Sequence, residues 1–139
     1  MRKGNLTDLE QGLELIKEKI IEKSALTLEQ TLERLSEKDS HIEIVELDKK
    51  PIGIHIWYGP YENEGESCYI WLGAIKDVGK GIGSEMIRLS LRNMRGLGYK
   101  RVYVKTKTKN ILAKKALEKN GFKEYDIDSS GISYLKREL

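Results

Sequence analysis

The stretch DVGKGIGSEMI, Asp77 to Ile87, places three glycines within five positions and then runs directly into an amphipathic pattern. Glycine weakens a helix start and fills no core. Such density therefore signals a backbone that must adopt positive φ or admit something close to it. The preceding run, CYIWLGAI from Cys68 to Ile75, is apolar almost throughout, as a strand covered on both faces would be. Met86, Ile87, Leu89, Leu91 and Met94 then support a helix ending near Gly96 or Gly98. A strand, a glycine turn and a helix start together make an anion site, because the first amides of a helix lack intrahelical partners and its dipole favours negative charge.

Two familiar phosphate patterns fail on the letters. A Walker loop needs GxxxxGK followed by Ser or Thr, but Ala74 stands where its first glycine belongs and Gly81 follows Lys80. A dinucleotide fingerprint GxGxxG fits Gly79 and Gly81 and then meets Ser84; started from Gly81 and Gly83 it meets Met86.

The surrounding pattern sets an order of elements. TDLE and TLEQ place Thr7 with Glu10 and Thr27 with Gln30 at capping-box spacing, each opening an apolar helical stripe. HIEIVEL and IGIHIWY then read as a hairpin turned at DKKP. RVYVKT is a strand, and NILAKKALEKN is a helix capped by Asn110 and stopped by Gly121. FKEYDI and ISYLKREL close the chain as strands. With a weak first strand at MRKGN, the order is β-α-α-β-β-β-α-β-α-β-β, a mixed α/β architecture. A length of 139 residues fits one domain, read here as spanning 1–139.

Composition narrows the class. Charged residues make up 34% of the chain and no long apolar run occurs, so we expect a soluble, cytoplasmic protein with neither membrane span nor secretory signal. The lone Cys68 lies in an apolar run and reads as a buried thiol. With His41 and His55 it offers no metal-ligand spacing, so no metal is expected. Net charge is only +3, but the segment from Lys100 to Lys115 is strongly basic and suits phosphate.

VGKGIGS after a strand, Asn110 opening a later helix, and the NGF of Asn120 to Phe122 together resemble the GNAT family of acetyl-coenzyme A dependent N-acetyltransferases. That resemblance implies a GNAT fold, with a central mixed sheet of six to seven strands flanked by about four helices, and acetyl-coenzyme A as co-substrate. It implies that Gly79, Lys80, Gly81, Ile82, Gly83 and Ser84 surround the pyrophosphate through their amides. Trp71, Leu72 and Gly73 would run beside the pantetheine arm, and Asn110 would contact the coenzyme. Lys107, Lys109 and Lys114 are candidate phosphate partners.

The family pattern breaks at two positions. Val78 replaces the usual Arg or Gln that opens the phosphate motif, and Leu117 stands where many members carry a tyrosine that protonates the departing thiolate. Glu66, beside the strand position where some members place a base, is the candidate base. Tyr134, with Tyr103 and Tyr125 as alternatives, is the candidate acid. His55 alternates with Ile54 and Ile56 and reads as a satisfied or surface histidine.

The expected activity is acetyl transfer to a primary amine by direct attack in a ternary complex, the amine belonging to a small molecule, a polyamine, a peptide or a protein. Asp126, Asp128 and the glutamates of the first helices weakly favour a cationic acceptor. The rival readings are a coenzyme-binding module without turnover and a nucleic-acid-binding protein using the basic segment. The small net charge and lack of interleaved aromatics argue against the latter. By resemblance, terminal strands would pair two copies in a homodimer.

Overall fold

Strand periodicity from Ser40 onward is realised in the structure, a computed structural model that describes residues 2–3, 30, 33, 40–61, 65–75 and 81–139. β1 (Arg2–Lys3) pairs with β2 (Ser40–Leu47), which turns back into β3 (Lys50–Tyr58). Asp48 and Lys49 make that turn at φ 52° and 64°. Two successive left-handed residues form the tight hairpin turn whose twist matches its strands. Gln30 and Glu33 are helical, at positions within the second expected helix; the remainder of both amino-terminal helices lies outside the described residues.

β4 (Ser67–Ile75), α1 (Ile82–Gly96), β5 (Arg101–Lys107), α2 (Ile111–Lys119), β6 (Lys123–Ile127) and β7 (Ile132–Glu138) complete the described chain. All seven strands form one sheet in the order β1-β2-β3-β4-β5-β7-β6. β4 and β5 are parallel, as a crossover through α1 requires, whereas β7 inserts antiparallel between β5 and β6. This is the mixed α/β sheet expected, with two helices among the described residues.

Both helices pack on one face. Ile87, Leu91 and Met94 of α1 and Leu117 of α2 close over Cys68, Ile70, Val102, Val104 and Leu135 from the sheet. Each such side chain contributes roughly 1.5–3 kcal/mol by leaving water. Helix ends are set by glycine: Gly98 (φ 93°) and Gly121 (φ 84°) stop α1 and α2. Phe122 N–H donates back to Leu117 O at 3.1 Å and Gly121 N–H to Glu118 O at 3.0 Å, satisfying carbonyls that the helix leaves open. No described helix is long and apolar enough to cross a membrane.

Candidate active site

The parallel ladder between β4 and β5 runs from Ser67↔Arg101 to Ile70↔Val104 and stops there, although β4 continues to Ile75 and β5 to Lys107. On its other side β4 pairs Ile70 with Trp57 and Leu72 with Ile56, so Trp71 is an extra residue, a β-bulge. A bulge bends its strand and re-aims the residues beyond it. Here the bend falls where pairing with β5 ends, while β5 stays paired to β7 along its whole length. A wedge results, with Trp71, Leu72 and Gly73 on its β4 edge. At Gly73 a Cβ would stand 3.1 Å from Cδ2 of His55, so the buried ring would have to shift by a few tenths of an ångström to admit one.

At the same end of the sheet α1 begins. Gly81 is its N-cap at φ 77°, with no side-chain cap bond, and Glu85 N–H donates to Gly81 O at 3.1 Å. The first-turn amides of Ile82, Gly83 and Ser84 therefore point toward the helix start, where an anion is favoured. Among the described residues a Cβ on Gly81 would meet nothing within 4 Å, and one on Gly83 would meet Ile75 Cδ1 at 3.6 Å. The positive φ explains glycine at 81. At 83 nothing in the described chain requires it, and the space over the helix start suits an incoming diphosphate. Val78, Gly79 and Lys80 lie outside the described residues.

Asn110 caps α2, its Oδ1 accepting from Ala113 N–H at 3.2 Å. Sequence reading placed Asn120 in the motif that ends this helix but missed its contacts. Its Nδ2 donates to Ser84 O at 3.0 Å and Ser84 Oγ at 3.1 Å, and approaches Ala116 O at 2.9 Å, tying the end of α2 to the start of α1. The available signal was the Asn preceding the Gly-Phe stop. Of the three lysines considered for phosphate, Lys114 pairs with Glu124 at 3.1 Å. Lys107 shares the strand parity of Tyr103, opposite the core-facing Val102 and Val104, so it projects away from the helices. Lys109 is exposed in the loop before α2.

The catalytic candidates are separated. Glu66 precedes β4 at the closed end of the ladder, where its exposed carboxylate pairs with Lys100 Nζ at 3.4 Å. Four strand residues, Ser67 to Ile70, divide it from the bulge at Trp71, a rise of roughly 16 Å. Tyr134 stands on β7 opposite Lys105, one position beyond the last β4–β5 pair. Its hydroxyl donates to Asp128 Oδ2 at 2.9 Å, and that bond raises the phenol pKa. Asp128 is held ionised, at about 2, first by the Ser130 hydroxyl and then by the Ile132 amide among its donors. Leu117 is buried against the sheet, so a tyrosine there would have to enter the core. His55 is buried under α1, with Nδ1 2.5 Å from Ser90 Oγ. Burial pushes the Cys68 thiol up to about 12, leaving it unreactive at neutral pH.

A family model for the acetyltransferase (GNAT) domain matches residues 5–123. The chain belongs to the GNAT family. Solved structures agree on the GNAT fold. A ribosomal-protein-alanine N-acetyltransferase from Brucella melitensis superposes with a TM-score of 0.80 at 16% identity, covering 99% of this chain and 98% of that one. An aminoglycoside acetyltransferase in complex with coenzyme A gives 0.78 at 20% identity, covering 99% and 92%. An IAA acetyltransferase from Bacillus cereus ATCC 14579 gives 0.68 at 18% identity, covering 81% and 85%. No curated protein matches the chain closely enough to count as a relative. As a GNAT protein the chain is an acetyl-coenzyme A dependent N-acetyltransferase, and its wedge and helix start fit that co-substrate.

Proposed function

We propose that the protein moves acetyl from acetyl-coenzyme A to a primary amine by direct attack within a ternary complex. The observation that carries this is the β4–β5 ladder ending at the Trp71 bulge beside a helix start where no described residue crowds Gly81 or Gly83. Amides from Gly79 to Ser84 would hold the diphosphate, with Asn110 beside it, and the β4 edge at Trp71, Leu72 and Gly73 would align the pantetheine. A backbone N–H at the bulge would donate to the thioester oxygen as negative charge develops there. Holding amine and carbonyl together supplies most of the acceleration, since a neutral amine is already a good nucleophile.

Geometry favours Tyr134 over Glu66 as the residue beside the reaction. The Tyr134 hydroxyl donates its hydrogen bond to ionised Asp128, so its oxygen lone pairs accept an N–H of the incoming amine. An acceptor drawn to Asp128 as an ammonium first loses a proton to water. As the C–N bond forms and the C–S bond breaks, the amine's second proton leaves with the thiolate, released as the coenzyme A thiol. Glu66, at the ladder's closed end, has no role in this arrangement.

Gly83→Leu tests the reading. Acetyl-coenzyme A should raise the melting temperature of the wild type and not of the variant, whose own stability stays within a few degrees; an undiminished shift would overturn the diphosphate assignment. Buried Leu117 favours one second reading, a coenzyme binder without turnover. Thiol release over a panel of small amines, polyamines and peptides separates the two. The single unbridged Cys68 accords with the reducing cytoplasm, where we place the activity. A homodimer belongs to the same proposal, and sedimentation equilibrium checks it.

A further inference from the structure

We propose that His55 is a positioning residue: held by Ser90 and Glu43, its ring braces the β4 edge beyond the Trp71 bulge and so governs the rate of acetyl transfer. The inference rests on the acetyltransferase reading above.

Strand register lines three residues up. Glu43 of β2 is directly opposite His55 of β3, and His55 is directly opposite Gly73 of β4. Residues opposite one another in an antiparallel pair share a face. This row faces α1, because Ser90 Oγ lies 2.8 Å from Glu43 Oε1 and 2.5 Å from His55 Nδ1. It ends at Gly73, where the described β4–β5 ladder has already stopped, so the row runs onto the β4 edge of the wedge.

A buried polar row costs desolvation that an apolar trio would avoid, and Glu43, His55 and Ser90 are only 5%, 1% and 0% exposed. Its geometry shows what it secures. Ser90 gives its proton to Glu43, so the imidazole donates from Nδ1, and its other edge is turned onto Gly73. A Cβ built on Gly73 would stand 3.1 Å from Cδ2 and 3.7 Å from Nε2 of that ring. Trp57 Nε1 and Asn93 Nδ2 fix the carboxylate that anchors the bonds. Met86 of α1 lies across the same two strands, its Cε 3.5 Å from a Cβ on Gly73 and its Sδ 3.5 Å from one on Gly53.

β4 needs a brace where it bends. Up to Ile70 it is paired to both β3 and β5; past the bulge the described ladder continues on the β3 side alone. In the proposed complex the thioester lies on this half, and rates respond to errors of well under about 1 Å in the placing of reacting groups. The diphosphate sits at the start of the helix that carries Ser90. The Ser90–His55 bond therefore couples the element that holds the diphosphate to the strand that holds the thioester. Losing it leaves the helix-start amides in place, so the loss falls on kcat rather than on coenzyme affinity.

The test follows thiol release by the full chain, with acetyl-coenzyme A and whichever amine of the panel above the wild type uses best. Ser90→Ala removes the acceptor of Nδ1 and leaves Glu43 its Trp57 and Asn93 bonds; alanine favours the helix, so the variant folds. We expect kcat to fall about tenfold, with the Kd for acetyl-coenzyme A by isothermal titration within about twofold of wild type. Ile42→Val, which trims the core on the opposite face of β2, should leave both unchanged. His55→Asn keeps an N–H toward Ser90 but lacks the ring over Gly73, and should lose as much. Gly73→Ala should lower kcat in the wild type, where the ring must yield, and raise it in His55→Asn, where the methyl refills that room. Independently of turnover, Ser90→Ala should quicken amide exchange over residues 71–75 and leave 67–70 as in the wild type.

An unchanged kcat in Ser90→Ala and His55→Asn, a loss matched by Ile42→Val or carried by Kd, equal effects of Gly73→Ala in the two backgrounds, or unaltered exchange over 71–75 overturns the inference alone. No thermal shift of the wild type with acetyl-coenzyme A and no thiol release with any amine overturns the acetyltransferase reading, and the inference with it.

Discussion

A carboxylate inside a sheet is costly unless donors surround it, and Glu43 has them. Its Oε1 accepts from Trp57 Nε1 at 2.7 Å and Ser90 Oγ at 2.8 Å, its Oε2 accepts from Asn93 Nδ2, and His55 Nδ1 lies 3.9 Å away. Because the Ser90 proton goes to Glu43, His55 Nδ1 donates to Ser90 Oγ in turn. Burial alone would raise the Glu43 pKa; nearby His55 and the hydrogen bonds from Asn93 and Ser90 outweigh it, and the net shift is downward from 4.5. A depressed carboxylate contributes stability above its unfolded pKa and loses it as pH falls through the folded value. Urea midpoints should therefore be insensitive to Glu43 above about pH 5 and drop below about pH 4.5. Glu43→Gln turns a donor toward Asn93 and should cost roughly 2–4 kcal/mol at pH 7, with the gap narrowing in acid. A gap constant from pH 7 to the acid limb would refute the ionised role. His55 was legible in sequence as either a satisfied or a surface histidine, and its burial against Ser90 makes it the former; Glu43 was not legible, because its Trp57 and Asn93 partners lie 14 and 50 residues away.

At the level of elements, the start of α1 is only as well placed as its attachment to α2. Asn120 spans that junction, and its three acceptors all come from helix ends or the last turn. Asn120→Ala should cost about 1–2 kcal/mol, since it strands partly buried groups that the asparagine satisfied. It should also weaken acetyl-coenzyme A binding beyond the effect of an equally destabilising core truncation such as Ile42→Val, with isothermal titration as the measurement. Equal affinity in the two variants would reduce Asn120 to a stability residue. The helix and its glycine stop were readable from local pattern, because caps and Schellman turns are decided within a few residues. The bridge from Asn120 to Ser84 was not, because it needs the packing of two helices whose relative placement the sheet dictates.

At the scale of the molecule, the seven strands and their mixed direction were legible from alternation and from the helix between β4 and β5, but two features that make the site were not. The β7 insertion beside β5 and the Trp71 bulge are both matters of register, and a strand of uniformly apolar residues such as CYIWLGAI carries no face preference to fix one. Register in turn sets the charge on each face. Of the lysines proposed for phosphate, Lys107 projects away from the helices and Lys114 pairs with Glu124, so the proposed coenzyme site rests mainly on backbone amides. The fields of exposed lysines fade beyond roughly 10 Å at about 0.1 M salt, whereas amide hydrogen bonds act at contact. Raising sodium chloride from about 0.02 to about 0.5 M should then change the KM for acetyl-coenzyme A by less than about twofold. A rise of about fivefold or more would mean that lysines also carry the coenzyme phosphates, and Lys109→Ala would then flatten that response.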